Sequence, residues 1–293
     1  MAAAAALATA AELGLFANDV IILNDSNRLV LRLLPCDIVA RVAPAAYGED
    51  GTRSLWTDYR ARAQAEIELV RRLEQTASPV AALDPRVQPR LFERDGVVIG
   101  FWTYFEPVVG DVPSDSYADA LARLHAGLRE TTMATSHFTD RIADTQQWVA
   151  SPDITPGIGD EDRALLWDTL ERLRRSVAGR AAEEQILHGE PHQWNVLRTT
   201  RGPLFIDFEN CCRGPIEYDL AWVPEDASKR YPDVDDDLLR DCRGLMLAII
   251  AAHFCRPDNE HPNERGREEY LGAVREGPPW PALDEILRRS LGA

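Results

Sequence analysis

His188-Gly189-Glu190-Pro191-His192-Gln193-Trp194-Asn195-Val196-Leu197, followed by Leu204-Phe205-Ile206-Asp207-Phe208-Glu209, is the stretch on which the fold turns. Each half couples an apolar, strand-like run to a polar residue. Asn195 immediately precedes Val196-Leu197, and Asp207 follows Leu204-Phe205-Ile206. If the two runs pair as a hairpin around 199–202, the amide and the carboxylate can face one space. Both are hard oxygen ligands of the kind that suits Mg2+, an ion that keeps waters and phosphate oxygens in its shell. Glu190, five residues before Asn195, stands at the mouth of the loop, where it can orient a hydroxyl or accept its proton.

The order H-G-E-x-x-x-x-N with I-D-F-E after it resembles the core of the aminoglycoside phosphotransferase family, which has the protein-kinase fold. The run Arg213-Gly214-Pro215-Ile216-Glu217-Tyr218-Asp219-Leu220-Ala221 is similar to the segment behind that family's metal-binding aspartate. The resemblance spans nearly the whole chain in architecture and is specific between about residues 186 and 222. It implies an α+β protein-kinase-like fold in two lobes, a small β-rich N-terminal lobe and a larger, mainly helical C-terminal one. It also implies transfer of the γ-phosphoryl group of a magnesium nucleotide, ATP or GTP, to a hydroxyl of a small molecule.

Residue by residue, Asp207 resembles the aspartate that binds Mg2+ across the terminal phosphates, and Asn195 the second metal ligand. His188 resembles the histidine that braces the loop. Asp219 resembles the buried aspartate that orders it through charge-assisted bonds from backbone N–H groups. Glu190 departs from the pattern, since the family normally has aspartate there. One extra methylene moves the carboxylate by ~1.5 Å, a displacement that costs ~100-fold where geometry is tight. Adjustment of the loop can offset this, because positioning and electrostatics supply most of the catalysis in phosphoryl transfer. Two other readings stand beside the enzyme: a nucleotide-binding relative with little turnover, and a non-enzymatic binding protein.

Working outward, residues 1–17 read as a helix, and 20–23, 28–34 and 38–42 as strands. Apolar steps at Ala63, Ile67, Val70 and Leu73 predict a helix over 59–73, and 88–92 with 97–104 reads as a hairpin around Arg94-Asp95-Gly96. The Pro- and Gly-containing stretch 106–116 marks a boundary, giving a nucleotide-binding lobe at 1–105 and a helical lobe with the acceptor pocket at 106–293. Helices are expected at 117–128, 163–177, 238–254 and 283–291, with short strands within 186–208. A small lobe hinged to a helical one makes a cleft for a small molecule.

In the first lobe Arg41 is the one basic residue of an apolar strand and resembles the family's strand lysine or arginine, with Glu66 as its carboxylate partner. Glu68 should face elsewhere. Ser26 and Asn27 sit in the turn that would meet phosphates, and Tyr104 and Phe105 in a hinge whose backbone could meet an adenine edge.

Competing motifs are weak. His188, Glu190 and His192 do not form HExxH, and Gly189 and Pro191 oppose the helix a zinc hydrolase needs. There is no GxSxG elbow and no GxxxxGK[ST] loop. His125 follows Leu121 and Leu124 on an amphipathic pattern and reads as a packing residue.

The net charge of −16 disfavours nucleic acid and anionic membranes. No apolar run reaches the ~18 residues of a membrane span. Five cysteines without a CxxC pair fit a reducing, cytoplasmic setting with free thiols, in a monomer or homodimer. The acidic group Glu225, Asp226, Asp233, Asp235, Asp236, Asp237 and Asp241 would favour a cationic, amine-bearing acceptor. It reads equally well as a solvated helix start.

Overall fold

The computed structural model describes residues 1–25, 28–45, 59–181, 183–256 and 264–291. They form two compact units: Met1–Val109 with Leu197–Asn210, and Gly110–Val196 with Cys211–Ala293.

The first unit begins with α1 (Ala2–Glu12), β1 (Ala17–Asp25), β2 (Leu29–Pro35) and β3 (Ile38–Pro44). It continues through α2 (Tyr59–Leu73), β4 (Phe92–Arg94) and β5 (Val97–Thr103). The five strands form one antiparallel sheet in the order β1-β2-β3-β5-β4. Strand period sorts the residues into two faces. Leu31, Leu33, Ile38, Ala40 and Val42 are buried in one cluster with Ala5, Ala6 and Ala10 of α1, whose small side chains allow close approach. Arg28 and Arg41 lie on the opposite face, because Val30 pairs with Arg41 and Arg28 is two residues from Val30. The strand expected at 88–92 is not formed; β4 starts only at Phe92, since Pro89 has no N–H to give a ladder. The turn Asp95-Gly96 has positive φ at both positions, 50° and 76°, as a two-residue hairpin turn requires.

Helices dominate the second unit. In chain order they are α3 (Ser114–Glu130), α4 (Phe138–Ala150), α5 (Asp160–Arg180), α6 (Ile216–Leu220), α7 (Glu225–Ser228), α8 (Asp236–Phe254), α9 (Glu264–Glu276) and α10 (Leu283–Leu291). β6 (Ser136–His137) and β7 (Gln185–Leu187) join β10 (Cys212–Gly214) in a small sheet of order β6-β10-β7. The apolar faces of α5 and α8 supply much of the core, with Leu166, Leu170, Leu173, Val177, Leu245, Met246 and Ile249 buried. Gly244 permits this packing, because a Cβ there would come within 2.6 Å of Leu173 and Trp280. Helices α4, α6, α7 and α9 are absent from the expected set. Over α4 the sequence is mostly polar, and its buried apolar side chains are only Phe138, Ile142 and Val149.

β8 (Val196–Thr199) and β9 (Gly202–Phe205) pair as a hairpin, and a single 3-10 turn, Gln193–Asn195, leads into it. From Leu197 onward this hairpin packs with the first unit, where Phe205 bridges Val80 in parallel and bonds Pro79 and Ala81 through its backbone. No helix among the described residues is long and apolar enough to cross a membrane. None of the five cysteines is in a disulfide, and Cys212, Cys242 and Cys255 are buried.

Candidate functional site

In the first unit two arginines and three carboxylates gather on the face of the sheet opposite α1. Arg41 of β3 donates through Nη1 to Glu66 Oε1 at 2.5 Å and through Nη2 to Asp207 Oδ1 at 3.2 Å. Glu66 lies on the apolar stripe Ala63–Glu66–Val70–Leu73 of α2, and its side chain is 2% exposed. A buried carboxylate needs partners. Besides Arg41, Glu66 Oε1 accepts the Phe208 N–H at 3.0 Å, which fixes the backbone next to Asp207. Asp207 itself has φ 70°, a left-handed conformation that aspartate tolerates better than most residues. Its side chain stays 25% exposed.

Arg28 completes the cluster. Its Nη2 lies 2.5 and 2.6 Å from the two Asp207 oxygens, and its Nη1 lies 3.0 Å from Glu209 Oε2. Burial pushes the Glu209 carboxyl up to about 7, against the pull of Arg28 and with the charge of Asp207 adding to the rise. Glu68, two residues from Glu66, points away and pairs with Arg71 and Arg72.

The second unit holds the loop that carries Glu190. Fully buried Asp219 accepts the N–H groups of His188 at 2.9 Å and Gly189 at 2.8 Å, and His125 Nε2 lies 3.0 Å from its Oδ2. The other ring nitrogen of His125 meets the Tyr231 hydroxyl at 2.8 Å. Gly189 has φ 92°, which only glycine adopts without strain. His188 is fully buried, and its Nδ1 receives the Glu190 N–H. Tyr117 of α3 donates to the Pro191 carbonyl.

Asn195 Nδ2 donates to the Glu190 carbonyl at 3.0 Å, which leaves Oδ1, the harder ligand, as the group that can meet a cation. The Glu190 carboxylate pairs with Arg141 Nη2 of α4. The Arg141 guanidinium also lies 5.0 Å from the centre of the Trp222 ring. Burial opposes the Arg141 charge, and Glu190 together with Tyr218 and Cys212 more than restores it, so the group stays ionised.

The remaining expected residues fall as follows. Ser26 and Asn27 lie outside the described residues. Tyr104 donates its hydroxyl to Glu106, and Arg32 covers its ring at 3.8 Å; Phe105 is half-buried. Much of the acidic group is engaged locally. Glu225 pairs with Lys229, Asp237 with Arg240 and Asp241 with Arg180, while Asp235 caps α8. Among the described residues no three His, Cys, Asp or Glu side chains are grouped to hold a metal ion. A cation that relies on few protein ligands, as Mg2+ does, fits this donor set better than zinc.

A family model described as the phosphotransferase enzyme family matches residues 11–244. The chain belongs to this family. Its solved structural neighbours share the protein-kinase-like fold of these phosphotransferases. An amicoumacin kinase in complex with AMP-PNP, Ca2+ and its ligand matches with TM-score 0.64 and 11% identity, over 92% of this chain and 91% of that one. Choline kinase from Streptococcus pneumoniae matches at 0.63 and 13%, over 98% of both chains. A spectinomycin phosphotransferase in complex with ADP and spectinomycin matches at 0.58 and 12%, over 96% and 95%. At these identities the likeness is one of fold. No curated protein sequence matches the chain.

Within this phosphotransferase fold, sequence reading missed Arg28, Glu209, His125 and Arg141. For Arg28 a signal existed, because strand period puts it on the face of Arg41. Glu209 was quoted in I-D-F-E without a role. Arg141 gave no signal, since the helix that carries it was not recognised.

Proposed function

We propose that the chain transfers the γ-phosphoryl group of a magnesium-bound nucleoside triphosphate, ATP or GTP, to a hydroxyl of a small molecule. The observation that carries this reading is the Arg41–Glu66 pair seated beside the partly exposed carboxylate of Asp207. A guanidinium oriented by a buried carboxylate is suited to phosphate oxygens, which it can meet with two parallel N–H bonds. Asp207 and Asn195 are the proposed protein ligands of Mg2+, which when bound would neutralise charge on the transferred phosphoryl group. Arg41 steadies the phosphates, and Glu66 holds Arg41. The backbone of Tyr104 and Phe105 meets the base, and Ser26 and Asn27 the phosphates.

Glu190 accepts the proton of the acceptor hydroxyl as that oxygen attacks the γ-phosphorus in line and the nucleoside diphosphate leaves. His188 and Asp219 act through the loop backbone. Arg141 holds the longer arm of Glu190 in one place, so that a carboxylate one methylene further out can still be aimed. The complexes of the amicoumacin kinase with AMP-PNP and of the spectinomycin enzyme with ADP support a nucleotide donor. The local pairing of the acidic group lends an amine-bearing acceptor no weight.

A second reading is favoured by one observation. Arg141 neutralises Glu190, as in a relative that binds nucleotide with little turnover. Calorimetry with ATP and GTP, each with and without Mg2+, tests the donor half; absence of saturable, Mg2+-dependent binding removes the proposal. A screen of hydroxyl compounds for phosphorylated product separates the two readings. Glu190→Gln should cripple transfer while sparing nucleotide binding, and equal rates would strip Glu190 of its role.

A further inference from the structure

Arg41 and Glu66 belong to the reading above; Arg28 and Glu209, in the same cluster, do not. One nitrogen of Arg28 sits on both oxygens of Asp207, and the other reaches Glu209 and approaches Glu66 at 3.9 Å. The Arg28 side chain is only 8% exposed, and those of Glu66 and Glu209 are 2% and 7% exposed. A divalent cation on Asp207 needs the oxygens that this guanidinium holds. Repulsion between the cation and the guanidinium therefore drives Arg28 off at least one of them.

The charges of the cluster decide when that exchange is favourable. Two guanidinium groups already offset most of three carboxylates. A bare divalent cation would bring two more positive charges into this largely buried place and push Arg28 back toward Glu209. A cation that arrives on a triphosphate brings an excess of negative charge with it, so both guanidinium groups keep an anionic partner.

We propose that Arg28 is a latch on the metal-binding carboxylate, holding Asp207 against free divalent cations and yielding to a cation delivered with nucleotide phosphates. This rests on Asp207 as the metal ligand of the proposed function. Its consequence is positive coupling between metal and nucleotide, which linkage makes equal in both directions.

The test uses the full chain, with Mn2+ alone as a paramagnetic probe and ATP titrated with and without Mg2+. Losing one charge-assisted pair corresponds to about tenfold in affinity, so Arg28→Gln should bind Mn2+ alone about tenfold more tightly than wild type. That gain should vanish in Arg28→Gln combined with Asp207→Asn. The factor by which Mg2+ improves ATP affinity should fall in Arg28→Gln by a similar ~10-fold. Arg28→Lys keeps a charge but cannot bridge two carboxylates, so it should lie between, and it carries the test if Arg28→Gln does not fold.

Unchanged or weaker Mn2+ binding in a folded Arg28 variant, or a gain that survives Asp207→Asn, overturns the latch. Mn2+ and Mg-ATP affinities that fall together mark a structural role only, and overturn it too. Wild-type protein that binds no ATP removes the phosphotransferase proposal and the nucleotide half of the latch, while the Mn2+ measurements still decide whether Arg28 holds Asp207 against free cations.

Discussion

Asp207 in the first unit and the Glu190 loop in the second are held in place by different kinds of bond. Charged side chains grip Asp207 itself, two arginines on a carboxylate that is a quarter exposed. The Glu190 loop is gripped through its backbone by fully buried Asp219, with His125 and Tyr117 behind it. Ion pairs can exchange one partner for another charge at small cost. Backbone bonds to a buried carboxylate cannot, because breaking one strands a polar group away from water. The Asp207 carboxylate is thus placed for substitution of its partners by another charge, and the Glu190 loop for permanence.

The sharpest way to break this contrast is Asp207→Asn. Transfer to the acceptor found by screening should fall by about a thousandfold, the effect of removing a charge-stabilising group. Its melting temperature should stay near that of wild type; a drop of many degrees would show that the arginine pairs carry structure as well. Asp219→Ala should do the reverse and cost ~3 kcal/mol in urea unfolding, since it removes the acceptor of two N–H groups and a histidine. A loss below ~1 kcal/mol would place that loop in the exchangeable class too.

Arg141→Met tests the exchangeable contact of the Glu190 loop, its ion pair. The pair with Glu190 and the Trp222 ring together should be worth ~1 kcal/mol in the same unfolding measurement.

The smallest effect is expected at Glu68, which Arg71 and Arg72 hold at about 2, below the usual carboxylate value of 4.5. A depressed folded-state value means that the pair stabilises the fold above pH 4.5 and that this is lost as pH falls toward 2. The stability gap between wild type and Glu68→Gln should be a few tenths of a kcal/mol at neutral pH and close over that range. A gap that persists at pH 2 would mean that packing, and not charge, explains it.

Arg41 and Glu66 were legible because each breaks a local rule, a lone charge in an apolar strand and a glutamate on the buried stripe of α2. Asp219 was legible only through a resemblance. His125 looked like packing because Leu121 and Leu124 precede it, and its bond to Asp219 depends on a residue 94 positions away. Ser26 and Asn27, read from the turn at 24–28, lie outside the described residues.

Periodicity and turn chemistry in the sequence by itself determined strands β1, β2, β3 and β5, the hairpin between Asn195 and Asp207, and helix α2 from Tyr59 to Leu73. Beyond the Arg41–Glu66 pair, tertiary structure alone decided which polar and charged groups meet. Arg141 meets Glu190 across 49 positions, Phe208 meets Glu66 across 142, and Arg28 meets Asp207 across 179. Side-chain period depends on neighbours three or four residues away, whereas electrostatic pairing depends on distance in space. No local pattern encodes that distance.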